Sequence, residues 1–204
     1  MAGNSPMAPA MSLALAANFG SVGQWRAALC AVGPTGEAAS RIALVFLAKD
    51  GTLANRRLSS LFADDVILLE IDATAGDDAM AGIEWAQVYE RYQHAVHDAS
   101  EPFGASADEL DVATLLDVRR AGVFEGAATV IPGARWLDPG EVGQWASEFG
   151  GGQEVVVYCV YGHEVGRVTA MRLQALDVNA RFLVGGIDAW QRAGRATVAK
   201  PRAS

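Results

Sequence analysis

The stretch VVVYCVYGHEVG, residues 155–166, places one of only two cysteines at the end of an all-apolar run, directly ahead of a turn containing Gly162, His163 and Glu164. A short branched apolar run closed by a glycine turn reads as a buried strand, and VGRVTAMRLQAL after it has helical spacing, with Val168, Met171 and Ala175 on one face. Cys159 is therefore expected at the carboxyl end of a strand, where open parallel sheets bind their ligands. The amides from Val160 to Val165 can converge on the space in front of the sulfur, and the helix directs its positive end there. Such dipoles favour a thiolate, the species that attacks sulfur and other electrophiles. Gly162 permits a turn conformation closed to residues with a Cβ. Taken alone, the same cysteine reads equally well as a small, partly buried residue at a strand end. The decision falls to the surrounding sequence.

Working outward, TLLDV (114–118) reads as a strand ending in charge and IPGARW (131–136) as a turn leading into an extended piece. PGEVGQWASEF reads as a short helix closed by Gly150 to Gly152. ARFLV (180–184) is a further strand, followed by Gly185-Gly186 and a last helix around Trp190. Strands alternating with helices imply parallel pairing and a sheet covered on both faces. Trp136, Trp145 and Trp190 fall on apolar patterns and are expected in the core rather than as a stacking platform.

ASEPFGAS (99–106), with Pro102 and Gly104, is the strongest boundary signal in the chain. Before it, residues 1–20 are rich in small residues and are expected to be a flexible tail. Residues 21–104 read as an α/β region of unknown family. Ser21 caps a short helix carrying Trp25, Ala28, Leu29 and Cys30 and closed near Gly33. RIALVFLA (41–48) and DVILLEI (65–71) read as buried strands, and LANRRLSSLFA between them has helical spacing. IEWAQVYERYQHAVHD (83–98) reads as a stronger helix, with Trp85, Val88, Tyr92 and Ala95 on one face. Glu90, His94 and His97 share the opposite face at a spacing that could ligate a metal, but the pattern is that of a solvated stripe.

Length and an apolar content of 51% allow one large domain or two small ones with a real core. The 24 acidic against 16 basic side chains, formally −8, repel phosphate backbones and anionic surfaces, which argues against nucleic acid and membrane partners. No apolar run approaches the roughly 18 residues of a membrane span, and the N-terminal stretch lacks the positive start of a secretory signal. A cytoplasmic protein with reduced thiols is expected.

LLDVRR with Asp117 and Arg119, IPGA (131–134), VVVYCVYGHEVG and FLVGGIDAW with Gly185, Gly186 and Trp190 occur in the order of one family, at nearly its spacing. By these motifs, residues of about 108–197 resemble a rhodanese-homology domain, set within a unit of 105–198 and followed by a tail at 199–204. The resemblance implies a sulfurtransferase. Cys159 would accept a sulfane sulfur as a persulfide from thiosulfate or another persulfide and pass it to cyanide, a small thiol or a protein thiol. The loop Val160, Tyr161, Gly162, His163, Glu164 and Val165 would hold the outer sulfur, with Asp117 and Arg119 as structural support. No cofactor and no metal is implied.

The sequence departs from the family in two places. Relatives that handle thiosulfate well carry cations in the loop, whereas Glu164 here should repel a dianion, although a carboxylate in the first helical turn also suits the macrodipole. His163 either supplies positive charge or is a solvent-exposed loop residue, and substrate contact is the preferred reading. SADELDVATLLDVRR leaves little room for the helix that normally precedes the strand ending at Asp117. Phosphatases of the same fold need an arginine near the loop's end, and Arg167 falls beyond it, inside the helix. Two alternatives stand beside the enzyme: a non-catalytic binding or regulatory module, and a degenerate second copy of the same fold in the first hundred residues.

Overall fold

The computed structural model describes residues 6–32, 41–72, 80–110 and 114–201. The chain divides into two compact units, residues 1–48 with 52–96, and residues 49–51 with 97–204.

In the first unit, residues 9–19 are not a loose tail but a helix, α1 (Pro9–Phe19), with Pro9 in its first turn and Gly20 at its end with φ 87°. Met11 and Leu15 are fully buried, so the small residues around them let a helix pack closely rather than leave the chain free. α2 (Val22–Ala31) begins as expected: the Ser21 side chain accepts from the Gln24 amide. Trp25 is fully buried, Cys30 is exposed, and Gly33 lies outside the described residues.

β1 (Arg41–Leu47) is buried from Ile42 to Phe46 and is the centre of an antiparallel sheet ordered β2-β1-β3, with β2 at Thr52–Arg57 and β3 at Asp65–Asp72. The helix expected over LANRRLSSLFA is thus corrected to a strand followed by a short 3-10 turn at Leu58–Ser60. Asp50-Gly51, with Gly51 at φ 71°, turns the chain back as a hairpin, so Thr52–Arg57 completes the hydrogen bonds along β1. Leu53 is buried, but the alternate positions that follow it on the same face are polar. Asn55 accepts from the Trp25 indole at 3.0 Å, and the Arg57 guanidinium donates to the Val32 carbonyl at 2.7 and 3.1 Å. β3 is buried at Leu68, Leu69 and Ile71 while Val66 and Glu70 face outward, so it is half-buried rather than wholly buried.

α3 (Trp85–Ser100) buries Trp85, Val88, Tyr92 and Ala95 as its spacing predicts, with Trp85 edge-on to Trp25 and Tyr92 edge-on to Phe46. Glu90, His94 and His97 are exposed on it. An antiparallel sheet of order β2-β1-β3 is not the parallel topology of a second rhodanese copy, which removes that alternative. The division between the units falls after Val96, inside α3 and ahead of ASEPFGAS. That stretch ends the helix, because Pro102 breaks it.

The second unit is built on a five-stranded parallel sheet ordered β4-β9-β8-β5-β7. Its strands are β4 (Gly104–Ala105), β5 (Thr114–Asp117), β7 (Arg135–Trp136), β8 (Val155–Tyr158) and β9 (Ala180–Leu183). The connections carry α4 (Ala121–Glu125), α5 (Val142–Trp145), α6 (Glu164–Gln174) and α7 (Gly186–Arg192). Burial on both faces follows from the alternation within β8. Val155 and Val157 pack with Trp145, Ala170 and Leu173, while Val156 and Tyr158 pack with Ile131, Leu183 and Ile187. Each such side chain contributes about 1.5–3 kcal/mol by leaving water. Of the three tryptophans expected in the core, Trp145 is buried and Trp136 and Trp190 are half-buried.

α6 turns differently from the expected face. Gly166, Thr169, Ala170, Met171 and Leu173 are buried, Val168 is half-buried and Ala175 is exposed just past the helix end. In the short segment before β5, a 3-10 turn at Ala107–Glu109 stands where the family has a longer helix. It is closed by a reciprocal cap between Ser106 and Glu109. The Ser106 backbone amide and hydroxyl, with Arg181, hold the Glu109 carboxyl at about 2. The expected C-terminal tail is also partly ordered: β10 (Val198–Ala199) pairs antiparallel with β6 (Thr129–Val130), and Lys200 donates to the Phe124 and Glu125 carbonyls. Among the described residues no helix is long and apolar enough to cross a membrane.

Candidate functional site

Cys159 follows β8 directly, at the carboxyl end of the central strand of the parallel sheet, and is a free, buried thiol. Its sulfur lies against the first turn of α6: a Cβ placed on Gly166 would stand 3.4 Å from Sγ. His163 occupies the N-cap of α6 and its side chain makes no cap hydrogen bond to the amides of the first turn.

The loop is held from behind. The Cys159 carbonyl accepts from the Ile187 amide and the Val160 carbonyl from the Asp188 amide, both at 3.0 Å. The Gly162 carbonyl accepts from Nε of Arg167 at 2.9 Å. A planar trans peptide points its N–H opposite its C=O, so the amides of Val160, Tyr161 and His163 are turned to the other side of the loop. This anchoring requires the glycines. Gly162 has φ 68°, and a Cβ there would approach the Gly185 amide nitrogen to 2.5 Å. Gly186 has φ 59°, and its Cβ would approach the carbonyl oxygens of Cys159 and Val160 to 2.5 Å. The Gly185-Gly186 turn is therefore part of the site's scaffold.

In front of the loop is a cavity of about 180 Å³ lined by Cys159, Val160, Tyr161, His163, Glu164 and Val165, together with Arg119, Arg120 and Val123. Cys159 and five of the six expected loop positions thus line one space. Gly162 is buried and faces the Gly185-Gly186 turn instead. His163 and Tyr161 are exposed, with ring centroids 5.7 Å apart.

Asp117 and Arg119 form a buried ion pair at the end of the neighbouring strand. Nε of Arg119 donates to both carboxylate oxygens at 2.9 and 3.0 Å, and Nη2 also reaches the Thr129 carbonyl. The Tyr158 hydroxyl donates to Asp117 at 3.0 Å and accepts from the Ile131 amide. Burial pushes the Tyr158 phenol well above its usual range, and the charge of Asp117 adds to that rise. The residue immediately before Cys159 is thereby tied to the end of β5 and to the residue that follows β6.

Two arginines at the site escape a reading based on sequence distance. Asp117 is in register with Tyr158, and the Val118 amide donates to the Tyr158 carbonyl at 2.9 Å, so the segments leaving β5 and β8 run side by side. That adjacency brings Arg120 to a loop whose own sequence lacks a cation. The signal was the second arginine of DVRR, placed at a strand's carboxyl end beside the cysteine strand. Arg167 lies inside α6 as expected but reaches back. Besides Gly162 it donates to the buried Ser100 hydroxyl at 2.9 Å and stacks 4.4 Å over the Phe182 ring. Burial lowers its basicity, while Cys159, Glu101 and Glu164 act in the opposite sense.

A parallel α/β domain with a cysteine loop at the carboxyl end of its central strand is the class defined by this geometry. Residues 102–193 match the family model of rhodanese-like domains, and this part of the chain is a rhodanese-like domain. No curated protein matches the chain. Among solved structures, a rhodanese-related protein from Thermoplasma volcanium is 21% identical, with 47% of this chain and 96% of that chain covered and a TM-score of 0.41. A thiosulfate sulfurtransferase from Pseudomonas aeruginosa is 26% identical, with 43% of this chain and 16% of that chain covered and a TM-score of 0.37. A protein of unknown function from Rhodopseudomonas palustris, described as a possible tyrosine phosphatase, is 18% identical, with coverages of 52% and 92% and a TM-score of 0.45.

Proposed function

We propose that the rhodanese-like unit is a sulfurtransferase in which Cys159 carries a sulfane sulfur as a persulfide. The observation that supports this best is the placement of the Cys159 sulfur against the uncapped first turn of α6, at the edge of an open cavity. The Cys159 thiolate attacks the outer sulfur of a donor. A new S–S bond forms at Cys159, the donor's own bond to that sulfur breaks, and sulfite or a thiolate leaves with the electron pair. An acceptor, cyanide or a thiol, then attacks the outer sulfur and returns Cys159 as thiolate. Negative charge develops on the outer sulfur in both steps, where the amides of the loop can receive it without reorganising. Asp117, Arg119 and Tyr158 fix the strand ends that carry the loop and do not react.

The experiment is intact-protein mass spectrometry after incubation with thiosulfate and, separately, with a small persulfide, followed by peptide mapping. The expected result is one added sulfur on Cys159 and none in Cys159→Ser, whose hydroxyl keeps the shape but forms no persulfide. Sulfur on the exposed Cys30 instead, or no adduct on folded wild-type protein, would move the reading to a binding module.

A further inference from the structure

Of the cationic side chains at the cavity, one is left without a partner among the described residues. Arg119 is neutralised by Asp117 at hydrogen-bond distance in the buried pair. Glu164 lines the cavity and its charge acts on Arg167. Arg120 lines the same cavity, is half-exposed, and among the described residues its guanidinium has no ion-pair or hydrogen-bond partner. The cavity wall thus carries one guanidinium that no carboxylate pairs, in a lining that also holds Glu164. Val123, Val160 and Val165 give the same cavity an apolar part.

Building on the sulfur-transfer reading above, we propose that Arg120 is the specificity-determining residue of this site, selecting organic persulfides that carry one carboxylate. One guanidinium binds one carboxylate in a fork of parallel hydrogen bonds, and it suits a monoanion. A compact dianion leaves its second charge uncompensated in a cavity that already contains Glu164. The valines accommodate the short carbon chain that separates the acid from the reacting sulfur. The loading step is balanced without an oxidant. The Cys159 thiolate takes the outer sulfur of R–S–S–H, forming the Cys159 S–S–H group, and R–S⁻ departs with the electron pair of the broken S–S bond. One disulfide-type bond replaces another.

The test compares the rate of sulfur loading on Cys159 from mercaptopropionate persulfide, mercaptoethanol persulfide and thiosulfate, in the wild-type chain, Arg120→Gln and Arg120→Lys. In the wild type the acidic persulfide should exceed its neutral counterpart, and Arg120→Gln should lower the ratio of the two by about tenfold, through KM. Arg120→Lys should recover part of the ratio, because the charge is kept and the fork is lost. An equal acidic-to-neutral ratio in wild type and Arg120→Gln, with Cys159 loading from both, overturns the role of Arg120 and leaves sulfur transfer standing. Preferred loading from thiosulfate, abolished by Arg120→Gln, overturns the monoanion assignment. Failure of all three donors to load the wild type overturns the sulfur-transfer reading and this one with it.

Discussion

Tyr158 and Cys159 are consecutive residues with opposite chemistry. The phenol is fully buried and hydrogen-bonded to Asp117, and it is held protonated. The thiol one residue later reaches the edge of the cavity. Because the folded state raises the Tyr158 phenol above its ordinary value of about 10, the folded chain binds this proton more tightly than the unfolded chain. The associated stability is fully present below about pH 10 and is lost as pH rises toward the folded value. Tyr158→Phe removes the donor to a buried carboxylate and should cost about 1–3 kcal/mol near pH 8. The difference from wild type should narrow by roughly 1.4 kcal/mol near pH 11, since only the wild type has this proton to lose on unfolding. Urea unfolding of both chains at the two pH values checks it, and a constant difference would show that the phenol does not carry the linkage.

At the scale of elements, the loop after β8 is a set of carbonyls tied backwards so that amides face forwards. α7 holds the Cys159 and Val160 carbonyls, and Arg167 of α6 holds that of Gly162. Much of this was legible: an all-apolar run, a cysteine, a glycine turn and a helical repeat state the order of elements in twelve residues. Arg120 and Arg167 were not legible as site residues. Their approach is set by the pairing of β5 with β8 and by the pitch of α6, neither of which is encoded by spacing in the loop. The same reasoning explains β2, whose inner positions Asn55 and Arg57 bond to α2 and its following residue and so carry no apolar alternation. Arg167→Met keeps an unbranched side chain over Phe182 but gives up the bonds to Gly162 and Ser100. It should lose about 1–3 kcal/mol of stability and slow sulfur loading at Cys159 by about tenfold or more, with Arg167→Lys intermediate. Comparing loading rates well below the melting temperature separates the two effects. A loading rate equal to wild type would show that Gly162 is held well enough by its neighbours.

At the scale of the molecule, two sheets of unlike topology share one chain, an antiparallel one in the first unit and a parallel one in the second. Only the second carried family motifs, which is why its alternation of strands and helices was readable while the first unit's hairpin and α1 were not. The second unit has apolar cores on both faces of its sheet, made from residues between Ala105 and Ile187. A chain beginning at Gly104 should therefore still unfold in one cooperative transition. Its margin is smaller than that of a chain beginning at Trp85. The cut removes Phe103, which packs on one of those cores, and the Ser100 hydroxyl that accepts from Arg167. A lost bond to a charged group is worth about 1.5 kcal/mol or more, a drop of several degrees in Tm for a domain of about 100 residues. Calorimetry of the two chains measures the difference. A broad, non-cooperative melt of the Gly104 chain, with a sharp one for the chain from Trp85, would place α3 inside the folding unit rather than beside it.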